Sequence, residues 1–292
     1  MDDRRQHAPE PHPQVGTTGH EWDGIRELNT PLPRWWLWLF YATIIWSVGY
    51  WVVYPSWPLV SSYTSGVFNW HSRSTVVSDL AALQAQRSAM MARLASSSLQ
   101  QIESTPALLD FARALGARAF ADNCAPCHGA GGGGASGYPN LDDNDWLWGG
   151  TLADIQQTIT HGVRSGDAQG HQGAMPAFGR DGMLQMSDIV LAANYVRSLS
   201  GLSTTPGIDL AQGAKIFAAN CAVCHGPQGK GNRALGAPDL TVNIWLYGPE
   251  LNTIINGISN GHGGVMPAWG GKLDPVTIEA LTVYVHTFGG GE

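Results

Sequence analysis

The chain has 292 residues, which is enough for about two domains, and 43% of them are hydrophobic, so it can bury a core. Charged residues make up only 13% of the chain, and the formal net charge is −7. This balance excludes a nucleic-acid partner, because nothing in the chain is basic enough to hold phosphates.

Residues 1–34 form a first segment that is polar, rich in Pro and His, and without hydrophobic periodicity. This composition predicts an N-terminal tail whose first twenty residues are disordered. We interpret its histidines as solvated residues and not as metal ligands, because no ordered scaffold surrounds them; they are His7, His12 and His20.

Residues 35–54 form a run without a charged residue, from Trp35 to Tyr54. Its length of 20 matches one crossing of the hydrocarbon core of a lipid bilayer, and aromatic residues flank both ends. A cleaved signal peptide is the alternative, but the run starts late and no small-residue cleavage site follows it. We therefore expect a transmembrane anchor helix, and the absence of ionisable residues within it argues against an ion path.

Residues 55–106 are expected to be a linker that contains one amphipathic helix. Apolar side chains recur at helical spacing along it, at Val76, Leu80, Leu83, Met90 and Leu94. This stripe fits a helix that packs on its own domain, and it fits equally a docking helix for a partner subunit.

One pentapeptide occurs twice, as CAPCH at residues 124–128 and as CAVCH at residues 221–225. Cys-x-x-Cys-His is the attachment signature of c-type haem, in which two thiols bond to the porphyrin and the histidine binds its iron. A redox dithiol or half a zinc site would be the alternative for a single copy, but the two motifs use all four cysteines. The sequence therefore predicts two covalently bound haem c groups, held by Cys124, Cys127, Cys221 and Cys224, with His128 and His225 as iron ligands.

The charges around the anchor and the chemistry of haem attachment predict the same orientation. Arg26 and Arg34 precede the anchor, whereas the first arginine after it is Arg73, so the N-terminus is expected in the cytoplasm. Covalent haem attachment to paired cysteines belongs to the oxidising outer side of the bacterial inner membrane. We therefore expect a single-pass inner-membrane protein with periplasmic haem domains.

The two haem motifs lie in an internal repeat. The features that recur in the same order are Gly116, Phe120, Pro139, Trp146, Met175 and Tyr195 in the first copy, and Gly213, Phe217, Pro238, Trp245, Met266 and Tyr284 in the second. This order resembles a tandem of class I cytochrome c domains, over residues 107–203 and 204–292. The resemblance implies a mainly α fold, with one transmembrane helix followed by two cytochrome c domains.

The class I resemblance also implies contacts within each copy. A glycine on the first helix would let the last helix cross closely, which would bring Tyr195 near Phe120 and Tyr284 near Phe217. A proline carbonyl would accept the second N–H group of each proximal histidine, and the prolines in question are Pro139 and Pro238. The indoles of Trp146, Trp148 and Trp245 would either cover the edges of the haems or pack in the protein core.

The same resemblance places Met175 and Met266 in the loop that supplies the second iron ligand. A proline follows each methionine and disfavours helical geometry there, so each thioether is held on an extended loop. Ligation by methionine and histidine raises the reduction potential. His171 and His262 each lie four residues before a methionine and are the alternative ligands. Ligation by two histidines would lower the reduction potential of the haem.

Three other features near the motifs receive structural interpretations. Met183 and Met186 flank a helix start and are expected to pack in the protein. His161 aligns with an asparagine of the other copy and is expected to form a hydrogen bond. The four glycines at residues 131–134 lack the Lys and Ser/Thr of a phosphate loop, so we interpret them as a flexible connection.

Residues 22–40, which read WDGIRELNTPLPRWWLWLF, resemble the membrane-entry segment of the dihaem subunit (CcoP or FixP) of cbb-type cytochrome c oxidases. That subunit also consists of one anchor followed by two cytochrome c domains. The resemblance implies a respiratory electron carrier whose donor is a soluble or membrane-bound cytochrome c or the cytochrome bc complex. Its acceptors would be the monohaem cytochrome c subunit and the catalytic haem–copper subunit, which reduces oxygen to water. It implies no oxygen-reducing site and no catalytic residue in this chain.

Other functions are compatible with two membrane-anchored haem domains. They are a free-standing dihaem carrier, a subunit of a different enzyme and a haem-based gas sensor. Residues 107–203 contain nine aspartates against five arginines, and residues 204–292 contain six acids against four bases. This excess of acids predicts that a basic cytochrome donor is attracted electrostatically.

Overall fold

The computed structural model describes residues 15–289, so the expectation of a disordered tail lies outside the described residues for positions 1–14. The chain divides into two compact units, residues 1–85 and 86–292, which we describe separately. The elements are β1 (Thr17–Trp22), β2 (Ile25–Leu28), α1 (Arg34–Val53), α2 (Ser72–Ala95), α3 (Leu99–Ser104), α4 (Pro106–Asn123), α5 (Ala125–His128), α6 (Leu152–His161), α7 (Met186–Leu199), α8 (Leu210–Asn220), α9 (Ala222–His225), a 3₁₀ turn (Arg233–Leu235), α10 (Leu251–Asn260) and α11 (Pro275–His286).

An antiparallel hairpin of β1 and β2 begins within the twenty residues that were predicted to be disordered. Asp23 and Gly24 connect the strands with φ angles of +49° and +84°. Positive φ at both central residues fits a type I′ turn, for which Asp-Gly is a preferred pair. The prediction of disorder is therefore wrong for Thr17 to His20, and the Asp-Gly pair was the overlooked signal.

The apolar run forms α1, which is long and apolar enough to cross a membrane. Its 20 residues correspond to about 30 Å of helix, the thickness of a hydrocarbon core. None of its side chains is buried. The chain leaves the helix at Tyr54 in an extended conformation, and Pro55 cannot continue the helical hydrogen bonding. The observed helix matches the predicted anchor to within one residue at each end.

The apolar stripe on α2 is buried at one end only. Leu94 is fully buried, and Met90 packs against the same core cluster. Val76, Leu80 and Leu83 are 56%, 53% and 39% exposed. The C-terminal end of the stripe therefore packs on its own domain, while the N-terminal part is free to meet another surface.

In the unit that begins at residue 86, helices from the two copies pack on each other. The last helix of the second copy, α11, packs on α4 and α6 of the first, and α7 packs on α8 and α10. A methyl group at Gly116 would overlap the carbonyl oxygen of Ala280, and one at Gly213 would come within 2.5 Å of that of Leu191. The two glycines therefore allow the close helix crossings that were predicted. We call α4–α6 with α11 the first-motif body, and α7–α10 the second-motif body.

The aromatic contacts show the same exchange between the copies. The ring of Tyr284 lies 5.7 Å from that of Phe120, and the ring of Tyr195 lies 5.3 Å from that of Phe217. The expectation that each tyrosine would lie near the phenylalanine of its own copy is therefore wrong. Only residues 200–209 separate α7 from α8, and elements joined by a short connection usually pack as neighbours. Because α7 packs on α8, the corresponding surface of α4 is covered by α11 instead.

Candidate functional site

A cavity of about 320 Å³ lies in the second-motif body. Its lining includes Cys221, Cys224 and His225 from the second copy, together with Met175 from the first. Cofactor pockets have volumes of roughly 300–1,000 Å³ and are mostly apolar. The cavity therefore brings together one predicted haem motif and the predicted methionine ligand of the other copy.

The haem-motif residues share one helical turn because the preceding helix ends at the first cysteine. The amide of Cys221 donates to the carbonyl of Phe217 at 2.8 Å, and the amide of His225 donates to that of Cys221 at 2.9 Å. In the first copy the amide of His128 donates to the carbonyl of Cys124 at 2.9 Å. The backbone therefore presents each Cys-x-x-Cys-His motif in the same way.

Each motif histidine is oriented by a proline carbonyl, as predicted. Nδ1 of His128 lies 3.0 Å from the carbonyl oxygen of Pro139, and Nδ1 of His225 lies 3.1 Å from that of Pro238. A carbonyl can only accept, so Nδ1 carries the proton and Nε2 keeps its lone pair. Burial lowers the pKa of His225, against an opposing effect of the Pro238 hydrogen bond, and this favours the neutral ring that can bind a metal.

The cysteine environment does not resemble that of a redox dithiol. Burial raises the pKa of Cys124 and of Cys221 to about 11, and the second cysteine of each motif adds to the effect. A redox-active Cys-x-x-Cys pair has a lowered thiol pKa instead. Among residues 15–289 no group of three or more His, Cys, Asp or Glu side chains is placed to hold a metal ion. The raised thiol pKa values argue against the dithiol alternative.

The first-motif body is also built from residues of both copies. Cys124, Trp146 and Met266 all pack against a core cluster that contains Phe120 and Leu281. Met175, by contrast, packs against the cluster of the second-motif body. The methionine loops are therefore exchanged between the copies in the same way as the last helices.

Backbone hydrogen bonds join the exchanged loops in two equivalent places. Val163 and Met266 exchange two hydrogen bonds, each of 3.0 Å. His262 and Met175 exchange two more, of 2.9 and 3.2 Å. The segment that follows α6 or α10 thus positions the backbone of a methionine from the other copy.

The rival histidines are held by other contacts. The ring of His171 stacks on Trp148 at 4.3 Å, and its Nε2 lies 3.1 Å from the hydroxyl of Thr158. The ring of His262 stacks on Tyr247 at 3.8 Å. Burial lowers the pKa of both histidines. The stacking contacts orient both imidazoles, but a lowered pKa keeps each ring neutral and able to bind a metal, and His262 lines the second-motif cavity together with Met175. The choice of methionine over histidine as the iron ligand therefore stays a prediction.

A buried donor supports the fit of a haem in the second-motif cavity. Trp245 lines the cavity, and its Nε1 is buried without a hydrogen-bond partner in the described part of the chain. An unpaired buried N–H group is costly, so an acceptor in the cavity is expected. Arg164 and Trp148 line the same cavity. Together they suit a flat apolar cofactor that carries carboxylates.

The structure corrects one minor expectation and confirms another. Met183 and Met186 are 49% and 57% exposed, so the expectation that they pack in the protein is wrong. Nδ1 of His161 lies 3.0 Å from a carboxylate oxygen of Asp167, which confirms it as a hydrogen-bonding residue.

The glycine run at residues 131–134 is an ordered turn and not the flexible connection that was predicted. Gly134 donates to the carbonyl of His128 at 2.8 Å, and its φ is +71°. A methyl group at Gly134 would lie 2.7 Å from the carbonyl oxygen of Tyr138, and one at Gly231 would lie 2.5 Å from that of Ala237. Both copies therefore use glycine to close the chain behind the motif histidine.

Sequence reasoning missed several residues that shape these sites. Tyr247 occupies the repeat position of Trp148, and that correspondence could have identified it. Gly162 and Gly261 each follow a helix, and a methyl group on either would overlap the exchanged methionine backbone. No sequence pattern could have identified Arg164, because its contacts depend on the exchange of loops between the copies.

The chain matches two protein families over most of its length. Residues 14–61 match the family described as the N-terminal domain of cytochrome oxidase-cbb3, FixP. Residues 112–196 and 209–285 match the family described as cytochrome c oxidase, cbb3-type, subunit III.

Curated relatives are similar over nearly the whole chain. The cbb3-type cytochrome c oxidase subunit FixP of Azorhizobium caulinodans is 66% identical over 276 residues, which cover 94% of each chain. FixP of Bradyrhizobium diazoefficiens is 60% identical over 276 residues, covering 94% of this chain and 95% of the relative. Subunit CcoP of Cereibacter sphaeroides is 44% identical over 277 residues, covering 94% and 95%.

Proposed function

Because the chain belongs to the FixP/CcoP family of cbb3-type cytochrome c oxidase subunits, we propose that it relays electrons from a cytochrome donor towards the oxygen-reducing subunit. The donor is a soluble or membrane-bound cytochrome c or the cytochrome bc complex. The acceptors are the monohaem cytochrome c subunit and the catalytic haem–copper subunit. The observation that carries this proposal is the cavity where Met175 faces the same space as Cys221, Cys224 and His225.

The ligand sets follow the exchange of loops. Cys124 and Cys127 would hold one haem c, with His128 and Met266 as the ligands of its iron. The other set is Cys221 and Cys224, with His225 and Met175 as iron ligands. Each bound haem supplies a one-electron iron couple, and ligation by methionine and histidine sets it at a high potential.

The protein residues position and enclose the cofactors and take no chemical step themselves. The prolines that bind Nδ1 fix the direction of each imidazole. Met175 and Met266 would each supply the second protein ligand to an iron, which would leave neither site a free coordination position for oxygen. The Nε1 of Trp245 would be available to a haem carboxylate in the second-motif cavity, and Arg164 would add a positive charge beside it.

The anchor and the surface charge define how the chain meets its surroundings. Helix α1 crosses the bacterial inner membrane with the N-terminus in the cytoplasm, and both haem bodies lie in the periplasm. The acidic excess in residues 107–292 attracts a basic cytochrome donor, so the rate of electron entry should fall as salt concentration rises.

The proposal is tested by purifying the tagged chain in mild detergent and analysing what accompanies it. We expect b-type haem, copper and oxygen uptake with a reduced cytochrome c donor. The matched control is the double variant Cys221→Ala with Cys224→Ala, which should lose one haem c per chain and most of the uptake. Recovery of c-type haem alone, without copper or oxygen uptake, would favour a free-standing carrier instead.

A further inference from the structure

A single side chain binds both of the exchanged methionine loops. Nε of Arg164 donates to the carbonyl oxygen of Gly264 at 2.6 Å, and its Nη1 donates to the carbonyl oxygen of Gly173. Gly173 lies two residues before Met175, and Gly264 lies two residues before Met266. The guanidinium therefore holds the same position of each loop.

The backbone around Arg164 fixes this side chain in place. Its amide donates to the carbonyl of His171 at 2.6 Å, and the neighbouring Val163 exchanges two hydrogen bonds with Met266. The φ of Arg164 is +49°, a conformation that residues other than glycine rarely adopt. At the corresponding position the second copy has Gly263, which has no side chain to form such a contact. One arginine from the first copy thus serves both loops.

Arginine is suited to this position because its guanidinium is a rigid planar fork with several N–H donors. The ammonium group of a lysine is a point charge on a flexible stem and cannot reproduce two donors in a fixed geometry. Loss of the fork would free the carbonyls of Gly173 and Gly264 and remove a restraint from the segments that lead into the two methionines.

We propose that Arg164 is a positioning residue for both sixth iron ligands, acting through the loops that carry Met175 and Met266. This inference rests on the proposed ligation of both irons by methionine. A thioether is a neutral and weak ligand, so its bond to iron depends on a loop that is already held in place. Arg164 provides that restraint at both irons together.

The guanidinium also lines the second-motif cavity, so an effect of its charge must be separated from an effect of its geometry. A positive charge at the cavity would raise the potential of that haem alone, because it disfavours the oxidised iron. The positioning role predicts that both haems respond, and that they respond even when the charge is kept.

The test uses the intact oxidase complex with Arg164→Lys, which keeps the charge, and Arg164→Gln, which removes it. Arg180→Lys is the matched control, because Arg180 is exposed and pairs with the adjacent Asp181. The readouts are the long-wavelength sulfur-to-iron absorption band of the oxidised protein, the carbon monoxide bound by the reduced protein beyond that bound by the wild-type complex, and the midpoint potentials of the two haem c groups of this chain. Haem content per chain confirms that each variant has matured.

We expect Arg164→Lys to weaken the sulfur-to-iron band at both haems, to bind carbon monoxide at both, and to lower both potentials, while Arg180→Lys matches the wild type. If Arg164→Gln does not accumulate, Arg164→Lys alone decides the question. A wild-type band in Arg164→Lys, or a change at one haem that appears only in Arg164→Gln, would overturn the positioning role. A wild-type protein without the band would instead refute methionine ligation itself.

Discussion

The exchange of last helices between the copies predicts which aromatic pairs are energetically coupled. Phe120 is 1% exposed, and its ring lies 5.7 Å from that of Tyr284 at an interplanar angle of 62°. Edge-to-face pairs of this kind contribute about 0.5–1.5 kcal/mol beyond the area that they bury. We therefore expect the substitutions Phe120→Leu and Tyr284→Leu to be non-additive by about 1 kcal/mol.

A double-mutant cycle on the detergent-purified chain measures this coupling. The free energy of unfolding in guanidinium chloride is determined for the wild type, both single variants and the double variant. The matched control is the cycle of Phe120→Leu with Tyr195→Leu, which should be additive to within roughly 0.3–0.5 kcal/mol because these side chains are not in contact. Coupling of Phe120 to Tyr195, with none to Tyr284, would refute the exchange and would show that the last helix packs within its own copy.

Three further predictions follow from the sites. Met175→Ala and Met266→Ala should each allow one carbon monoxide per chain to bind to the reduced protein, as measured by difference spectra; saturation identical to the wild type would contradict methionine ligation. Gly116→Ala should lower the free energy of unfolding by about 1–3 kcal/mol, because the new methyl group meets the backbone of α11. Gly131→Ala, where nothing lies within 4 Å, should change it by less than about 0.5 kcal/mol, and equal effects would argue against the close crossing. Burial raises the pKa of Glu279 in the folded protein above its unfolded value of about 4.3. The folded state therefore holds this proton more tightly, and stability is lost as the pH rises from the unfolded pKa through the folded pKa. Glu279→Gln should therefore raise the melting temperature at pH 7 and lose that advantage near pH 4, whereas a constant difference would exclude this linkage.

The anchor, the haem motifs and the repeat could be predicted because each depends on local sequence. A charge-free run of 20 residues fits a bilayer wherever it occurs, and the Cys-x-x-Cys-His spacing is set by one helical turn. The prolines that bind the motif histidines were found through a family resemblance, and the structure contains both contacts.

The exchange between the copies could not be predicted from the same motifs. Gly116 and Gly213 offer equivalent crossing surfaces, and Tyr195 and Tyr284 carry equivalent rings. A motif therefore identifies the surfaces but not the partner of each surface. The short connection between α7 and α8 was the available signal, and the role of Arg164 becomes visible only after that choice is known.

The turns that were misassigned had local signals of a different kind. The Asp23-Gly24 pair predicts a hairpin turn, but the surrounding segment was interpreted by its overall polarity. The glycines at residues 131–134 were interpreted by composition, although Gly134 has a counterpart at Gly231 in the second copy. In both places the positive φ of a particular residue determined the structure, and average composition did not reveal it.

Rapid mixing with oxygen shows whether this chain passes electrons from a donor to an oxygen-reducing subunit. The purified complex is reduced without oxygen, mixed with oxygen, and followed at the absorption bands of reduced haem c. We predict that both haem c groups of this chain are oxidised within the turnover time, together with the haem c of the monohaem subunit, and that Cys221→Ala with Cys224→Ala removes one of the three contributions. If the haem c groups of this chain stay reduced while oxygen is consumed, electrons reach the catalytic subunit by another route and the proposed relay is wrong.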